Sequence, residues 1–303
     1  FKYHQKTILD IFANPGNLPL YMPLGLSYFL IRLIDTQLRW YRGEFINVSF
    51  REFLCYIVFP GTLIAGPIET IENFYANRYK TINWENITKG LSRCLLGVFK
   101  KIVIVEVILG RYIVFSEFLY NIVHDPTSIS STTIVAYTFF GFLYAYMDFS
   151  AYSDIAIGAS RMLGYKICEN FNFPIFAENI RDYWKRWHMS LSNWCMRNIY
   201  FPAMLKTKNA YLPLYLTMLT VGLWHSYNLS WFSWGIHHST GLMLLALFQK
   251  YSKGKAFTKI FIRPIRTGLT ILFVMAGFCF VWFHDYNLSL TLYKKWWQIL
   301  WLG

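Results

Sequence analysis

The chain has 303 residues, 55% hydrophobic and 20% aromatic, with mean hydropathy +0.31 and formal net charge +13. Only 15% of residues are charged, against roughly 25% for an average soluble domain. An ordinary soluble domain is therefore excluded. A disulfide framework is excluded too, because Cys55, Cys94, Cys168, Cys195 and Cys279 are singletons with no C-x-x-C pair.

Six apolar windows approach the roughly 20 residues that cross a bilayer. They cover residues 18–34, 102–119, 133–150, 210–226, 229–248 and 267–283. The runs are continuous rather than alternating, which favours helices over a β-barrel. Loop charge orients them. Residues 121–132, 226–230 and 284–290 carry no Lys or Arg, whereas 78–101 and 250–266 each carry six. The positive-inside bias places the former outside and the latter in the cytoplasm. The excess cations thus suit anionic headgroups, and no nucleic-acid-binding motif is present.

Two segments do not fit simple spanning. Residues 50–77 hold Pro60, Gly61, Gly66 and Pro67 between cation-rich stretches. They predict a re-entrant element, dipping in and returning. Residues 160–209 contain eight Lys or Arg and no long apolar run. They predict a cytoplasmic layer or short helices lining a cavity. The chain starts at Phe1 rather than Met. The expectation is one membrane-embedded domain over 1–303, lacking one or more N-terminal spans.

Three stretches carry candidate chemistry. In "MDFSAYSDIAIGASRMLGY", from Met147, a helix puts Ser150 and Asp154 at i,i+4, with Arg161 seven residues beyond Asp154. An internal ion pair is the simplest reading of that face. Asp148 at the end of a span reads as a cap for the next helix. In "YWKRWHMSLSNW", from Tyr183, a helix aligns Trp184, Trp187, His188 and Leu191 in one stripe. An interfacial belt explains the tryptophans and cations, but poorly explains a histidine on the aromatic face. Further on, His225 ends one span, and His237 and His238 lie in the next. Ionisable residues inside a membrane are functional candidates. No compact zinc motif and no G-x-S-x-G elbow occurs.

Together these stretches resemble the membrane-bound O-acyltransferase (MBOAT) family, in its bacterial branch acting on alginate, teichoic acid and other envelope polymers. The matching blocks are "MPLGLSYFLIRLID" from Met22, "FPGTLIAGPIE" from Phe59, "MDFSAYSDIAIG" from Met147, "NFNFPIFAENIRDYWKRWHMSLSNW" from Asn170, "GLWHS" from Gly222 and "FVWF" from Phe280. Three positions depart from the family pattern. Ser226 replaces a usual glycine, His237–His238 replaces a histidine-glycine pair, and "FPAMLKTK" from Phe201 lacks a glycine-containing turn.

The resemblance implies an all-α, multi-pass protein of the bacterial cytoplasmic (inner) membrane, with re-entrant and short helices around a central tunnel. It implies transfer of an acyl group, acetyl or D-alanyl-like, to a hydroxyl of a polysaccharide or teichoic acid outside. No bound cofactor is implied; the co-substrate is an acyl-carrier-protein thioester or acyl-CoA. The implied partners are membrane lipid, a donor carrier on the cytoplasmic side, and an envelope polymer or partner acyltransferase outside. By resemblance His225 is the reaction centre and His188 a second functional residue on the same tunnel. Trp187, Arg186, Trp224, Ser226 and Asp154 are expected to line it. Imidazole suits general-base work, with an unperturbed pKa of roughly 6.5. His225 is expected to take the hydroxyl proton, and His188 or a nearby tryptophan N–H to meet the oxyanion. The competing readings are a transporter or channel and an inactive scaffold.

Overall fold

A computed structural model describes residues 25–44, 47–79, 81, 83–114, 122, 125–252, 262–283 and 285–299. Among them the chain is helical, with a single isolated bridge between Arg78 and Tyr165 as its only extended pairing. The block from Met22 to Leu24, residues 115–119 of the second window, and 253–261 of the cation-rich loop lie outside the described residues.

The longest helix, Ser131–Met162, is capped by the Ser130 hydroxyl, which accepts from Thr133 N–H. Among the described residues it is the one helix long and apolar enough to cross a membrane. Helices also form over or beside other expected windows, at Leu26–Tyr41, Leu212–His225, Leu229–Tyr251 and Arg263–Phe278. Large apolar side chains stay exposed on several of these elements, among them Leu30, Ile34, Leu216, Leu244 and Leu269. A belt of this kind suits contact with lipid rather than water.

The cation-rich stretch 78–101 is not a loop. Asn83 caps a helix from Trp84 to Phe99, which continues in wider π winding over Lys100–Val114. The helix lies against Ser131–Met162 at very close range. A Cβ placed on Gly158 would sit 2.5 Å from the Gly90 carbonyl oxygen, so only glycine permits this approach. Three of its cations turn towards acids on neighbouring segments, while Lys89 pairs with Glu85 in the same helix. Lys100 Nζ lies 2.6 Å from Asp154, and Arg93 reaches both Asp154 and Glu169. Lys101 meets Asp148 at 2.5 Å. Asp154 therefore braces two helices to each other, rather than forming the expected pair within its own helix. Arg161 instead reaches Asn86 and the face of the Tyr79 ring. Asp148 is internal to its helix and caps nothing, because that helix runs on to Met162.

Residues 50–77 fold back on themselves, as the helix breakers predict. Helix Phe50–Ile57 ends before a short turn at Pro60–Leu63, and a last helix runs from Ile71 to Ala76. The two arms touch. Tyr56 Oη donates to the Glu69 carbonyl, Tyr75 Oη donates to the Glu52 carbonyl, and the Tyr56 and Phe74 rings pack edge to face. Arg32, fully buried in helix Leu26–Tyr41, satisfies the exposed backbone at the bend. It donates to the carbonyls of Tyr56 and Ile57 and to the Thr62 hydroxyl. Irregular backbone in an apolar setting needs such a partner.

Candidate active site

The block "YWKRWHMSLSNW" does not form one helix. Asn179 caps a short helix, Ile180–Trp184, and a second runs from Met189 to Cys195. His188 lies between them with φ +45°. A left-handed residue other than glycine is uncommon and needs its neighbours to hold it there. They do so through the backbone of the preceding loop. Asn172 N–H donates to the Arg186 carbonyl, and Met189 N–H donates to the Asn170 carbonyl. The loop 170–172 thus lies along residues 186–189 and delivers Asn170 to His188.

The break leaves Trp184, Trp187, His188 and Leu191 on one cavity wall, although no continuous helical stripe joins them. This cavity is about 310 Å³, and its opposite side carries Val221, His225, Trp231 and Trp234. His225 ends helix Leu212–His225 and stacks on Trp231, with centroids 4.5 Å apart and planes 21° apart. Tyr28 spans the space between the two histidine blocks. It stacks on His188 at 6.4 Å and meets Trp224 edge-on at 5.5 Å. His188 is buried, whereas His225 keeps exposed surface.

The polar groups around His188 form a chain. Ser153, on helix Ser131–Met162, accepts from Asn170 Nδ2 at 3.3 Å. Asn170 Oδ1 lies 3.0 Å from His188 Nδ1 and 2.8 Å from Ser190 Oγ. Ser153 and Asn170 also line a second cavity of about 550 Å³, together with Lys89, Arg93, Lys100 and Asp154. The Ser153–Asn170–His188 chain thus links residues that line one cavity to a residue that lines the other.

The MBOAT, membrane-bound O-acyltransferase, family model matches residues 20–291. The chain belongs to the MBOAT family. It is 29% identical over 84% of its length to the probable alginate O-acetylase AlgI of Pseudomonas fluorescens, covering 50% of that protein. It is 28% identical over 91% of its length to the peptidoglycan O-acetyltransferase of Helicobacter pylori, covering 56%. To the teichoic acid D-alanyltransferase of Bacillus subtilis it is 27% identical over 88% of its length, covering 68%. The chain spans about half the length of the alginate-type relatives it matches.

In this MBOAT chain the expected tunnel residues are divided among different surroundings. His188, His225 and Trp187 share the smaller cavity. Asp154 lines the larger one, together with Asn170. Trp224 packs on Tyr28 beside His225. Arg186 pairs with Asp182 at 2.9 Å and donates to the Asn172 carbonyl, clamping the loop. Ser226 ends the helix and accepts from the Asn228 amide. His237 is held at both nitrogens, by Tyr293 Oη at 3.0 Å and the Phe273 carbonyl at 2.9 Å. Both nitrogens of this ring are thus engaged within the protein.

Sequence reading named His238 among the intramembrane histidines without placing it at the site, and did not single out Asn170. His238 is a third histidine on the cavity wall, edge-on to Trp184. Only the crossing of helices turns it inward. Asn170 opens the longest matching block, yet no periodicity marks it. Its position depends on a loop pairing that helical spacing cannot express. Among the described residues, no three His, Cys, Asp or Glu side chains gather as a metal cluster.

Proposed function

We propose that the chain carries the catalytic core of an O-acyltransferase that acylates an envelope polymer. The acyl group, acetyl or D-alanyl-like, comes from a carrier-protein or coenzyme A thioester on the cytoplasmic side. The acceptor is a hydroxyl of a polysaccharide or teichoic acid outside. The protein crosses the bacterial cytoplasmic membrane several times as one embedded unit, among lipid and with a donor carrier within. One observation carries this reading. The histidines of two separate sequence blocks, His188 and His225, wall one cavity. The names of the relatives supply the polymer classes.

The cavities suit a two-sided reaction. The larger, with its cations, lies beside the half of helix Ser131–Met162 that leads to Arg161. It suits the polar arm of a thioester donor. The smaller, aromatic cavity suits the reacting carbonyl and hydroxyl, away from bulk water. The alcohol oxygen attacks the thioester carbon, the carbon–sulfur bond breaks, and one proton passes from oxygen to sulfur. Imidazole can carry that proton, typically for about 10²- to 10⁴-fold in rate. The oxyanion needs an N–H, which contributes on the order of 10²- to 10³-fold. The sequence expectation gives the proton to His225 and the oxyanion to His188.

The test is transfer of labelled acetyl from acetyl-coenzyme A, and of D-alanyl from a carrier-protein thioester, by the purified full-length protein. Alginate oligosaccharide and teichoic acid serve as acceptors. We expect His225→Ala to remain folded and lose at least about 10²-fold of the rate. Wild-type activity in that variant defeats the reading and favours a transporter or scaffold.

A further inference from the structure

The ion pair expected for Arg161 within its own helix does not form, and the cation has another setting. It lines a third cavity, of about 300 Å³, with Arg93, Lys166 and one carboxylate, Glu169. That carboxylate is already taken, because Arg93 donates to both of its oxygens at 2.5 Å. Glu85 lies within electrostatic reach of Arg161 but pairs with Lys89. Among the described residues neither Arg161 nor Lys166 has a carboxylate partner. The larger cavity differs. Its cations Lys89, Arg93 and Lys100 are paired with Glu85, Glu169 and Asp154.

The backbone frames this third cavity. Gly164, at φ +89°, turns the chain out of helix Ser131–Met162, a conformation that favours glycine. The isolated bridge between Arg78 and Tyr165 follows. Around it Tyr79 N–H donates to the Gly164 carbonyl at 2.8 Å, and Lys166 N–H to the Asn77 carbonyl at 3.2 Å. Lys166 and Tyr79 are thereby held on the same cavity as Arg161. Arg161 Nε donates to Asn86, and its guanidinium lies over the Tyr79 ring at 5.7 Å. These contacts fix the fork and leave its two terminal nitrogens without an acceptor among the described residues. A guanidinium presented in this way suits phosphate, which it meets through two parallel N–H···O bonds.

We infer that this cavity binds the phosphate of an anionic lipid headgroup, held by Arg161 and Lys166. The surroundings select a lipid. The cavity lies at the cation-rich end of helix Ser131–Met162, and basic pockets between membrane helices on the cytoplasmic side hold such headgroups. Trp84, two residues before Asn86, is 79% exposed, and Leu163, two residues after Arg161, is 50% exposed. Tryptophan beside exposed apolar surface is characteristic of headgroup level. A bound phosphate neutralises the two cations and ties Asn77, at the end of the 50–77 fold-back, to helix Ser131–Met162. The inference is independent of the acyl-transfer reading.

The test is native mass spectrometry of the full-length protein in detergent, titrated with phosphatidylglycerol, phosphatidylcholine, inorganic phosphate or coenzyme A. We expect one phosphatidylglycerol to bind at least about tenfold more tightly than phosphatidylcholine, as expected for charge-assisted hydrogen bonds to an uncompensated anion. Arg161→Gln should weaken that binding by at least about tenfold. Lys166→Gln should weaken it by about fivefold, the usual effect of one cation near an anionic headgroup. Lys166 is exposed, so Lys166→Glu should fold even if Arg161→Gln does not, and it should abolish the preference for phosphatidylglycerol. Lys206→Gln, an exposed cation on helix Phe201–Thr207, should bind as wild type does. Equal binding of the two lipids by wild type overturns the inference. So does unchanged phosphatidylglycerol binding in Lys166→Glu, or a loss in Lys206→Gln as large as that in Lys166→Gln. Displacement of the lipid by inorganic phosphate or coenzyme A at equal or lower concentration assigns the site to a soluble phosphate and overturns the lipid source.

Discussion

Trp231 lies flat against His225, with ring centroids 4.5 Å apart, and both side chains face the cavity that His188 closes from the other side. The stack limits how far the imidazole can rotate while leaving its edge open to a reactant. Aromatic pairs of this type contribute about 0.5–1.5 kcal/mol beyond buried area. Trp231→Leu should therefore reduce transfer by roughly 2- to 10-fold through a disordered His225, and Trp231→Phe should keep most of it. Steady-state kinetics on folded variants checks this. Equal activity in Trp231→Leu and wild type would mean the stack does not position the ring.

Among the described residues Arg32 is a buried cation without a carboxylate partner. It is held by two carbonyls and the Thr62 hydroxyl at the bend of residues 50–77. Hydrogen bonds from charged groups contribute about 1.5–3 kcal/mol each, and their loss strands buried acceptors. Arg32→Ala should lower stability by at least about 2 kcal/mol, read as a drop in thermal midpoint in detergent. Arg32→Lys should rescue only part of it, because one ammonium cannot span the three acceptors. A midpoint unchanged in Arg32→Ala would show that the bend stands without this clamp.

Asp154 receives Lys100 at 2.6 Å and Arg93 at 3.1 Å from the facing helix. A double-mutant cycle of Asp154→Asn and Lys100→Met should give a coupling of about 1–2 kcal/mol, within the range for contacting residues. Asp154→Asn alone should be the more harmful single change, since it leaves two cations facing each other. The same cycle on transfer rate should show little coupling, because Asp154 lines the larger cavity rather than the histidine cavity. A loss of kcat comparable to that of a histidine variant would place Asp154 in the reaction itself.

Orientation can be read by cysteine labelling on a cysteine-free background. Tyr227 is 92% exposed in the cation-free turn after His225. Lys89 is exposed on the opposite, cation-rich end of the bundle, paired with Glu85. Tyr227→Cys should react with an impermeant maleimide from outside intact cells, and Lys89→Cys only after permeabilisation. The reverse pattern would invert the scheme and the direction of acyl flow.

Much was legible in one dimension. Apolar windows marked helices because burial, in lipid or protein, requires long apolar runs. Pro60, Gly61, Gly66 and Pro67 marked the fold-back of 50–77 because they cannot continue a helix. The two histidine blocks stood out as ionisable groups in aromatic, apolar surroundings. The cation-rich stretch 78–101 misled, since charge alone suggested a loop. Arg93, Lys100 and Lys101 are instead neutralised by Asp148, Asp154 and Glu169, acids distant in sequence.

The sequence by itself thus determined the class of protein, the bend at 50–77 and the identity of its two conspicuous histidines, because local propensity and polarity act over a few residues. Only the tertiary structure decided what those histidines face. His188 owes its orientation to a left-handed break and to an amide eighteen residues earlier, and His225 to a tryptophan across a turn. Hydrogen-bond direction between such groups depends on three-dimensional approach, and no periodicity along the chain encodes it.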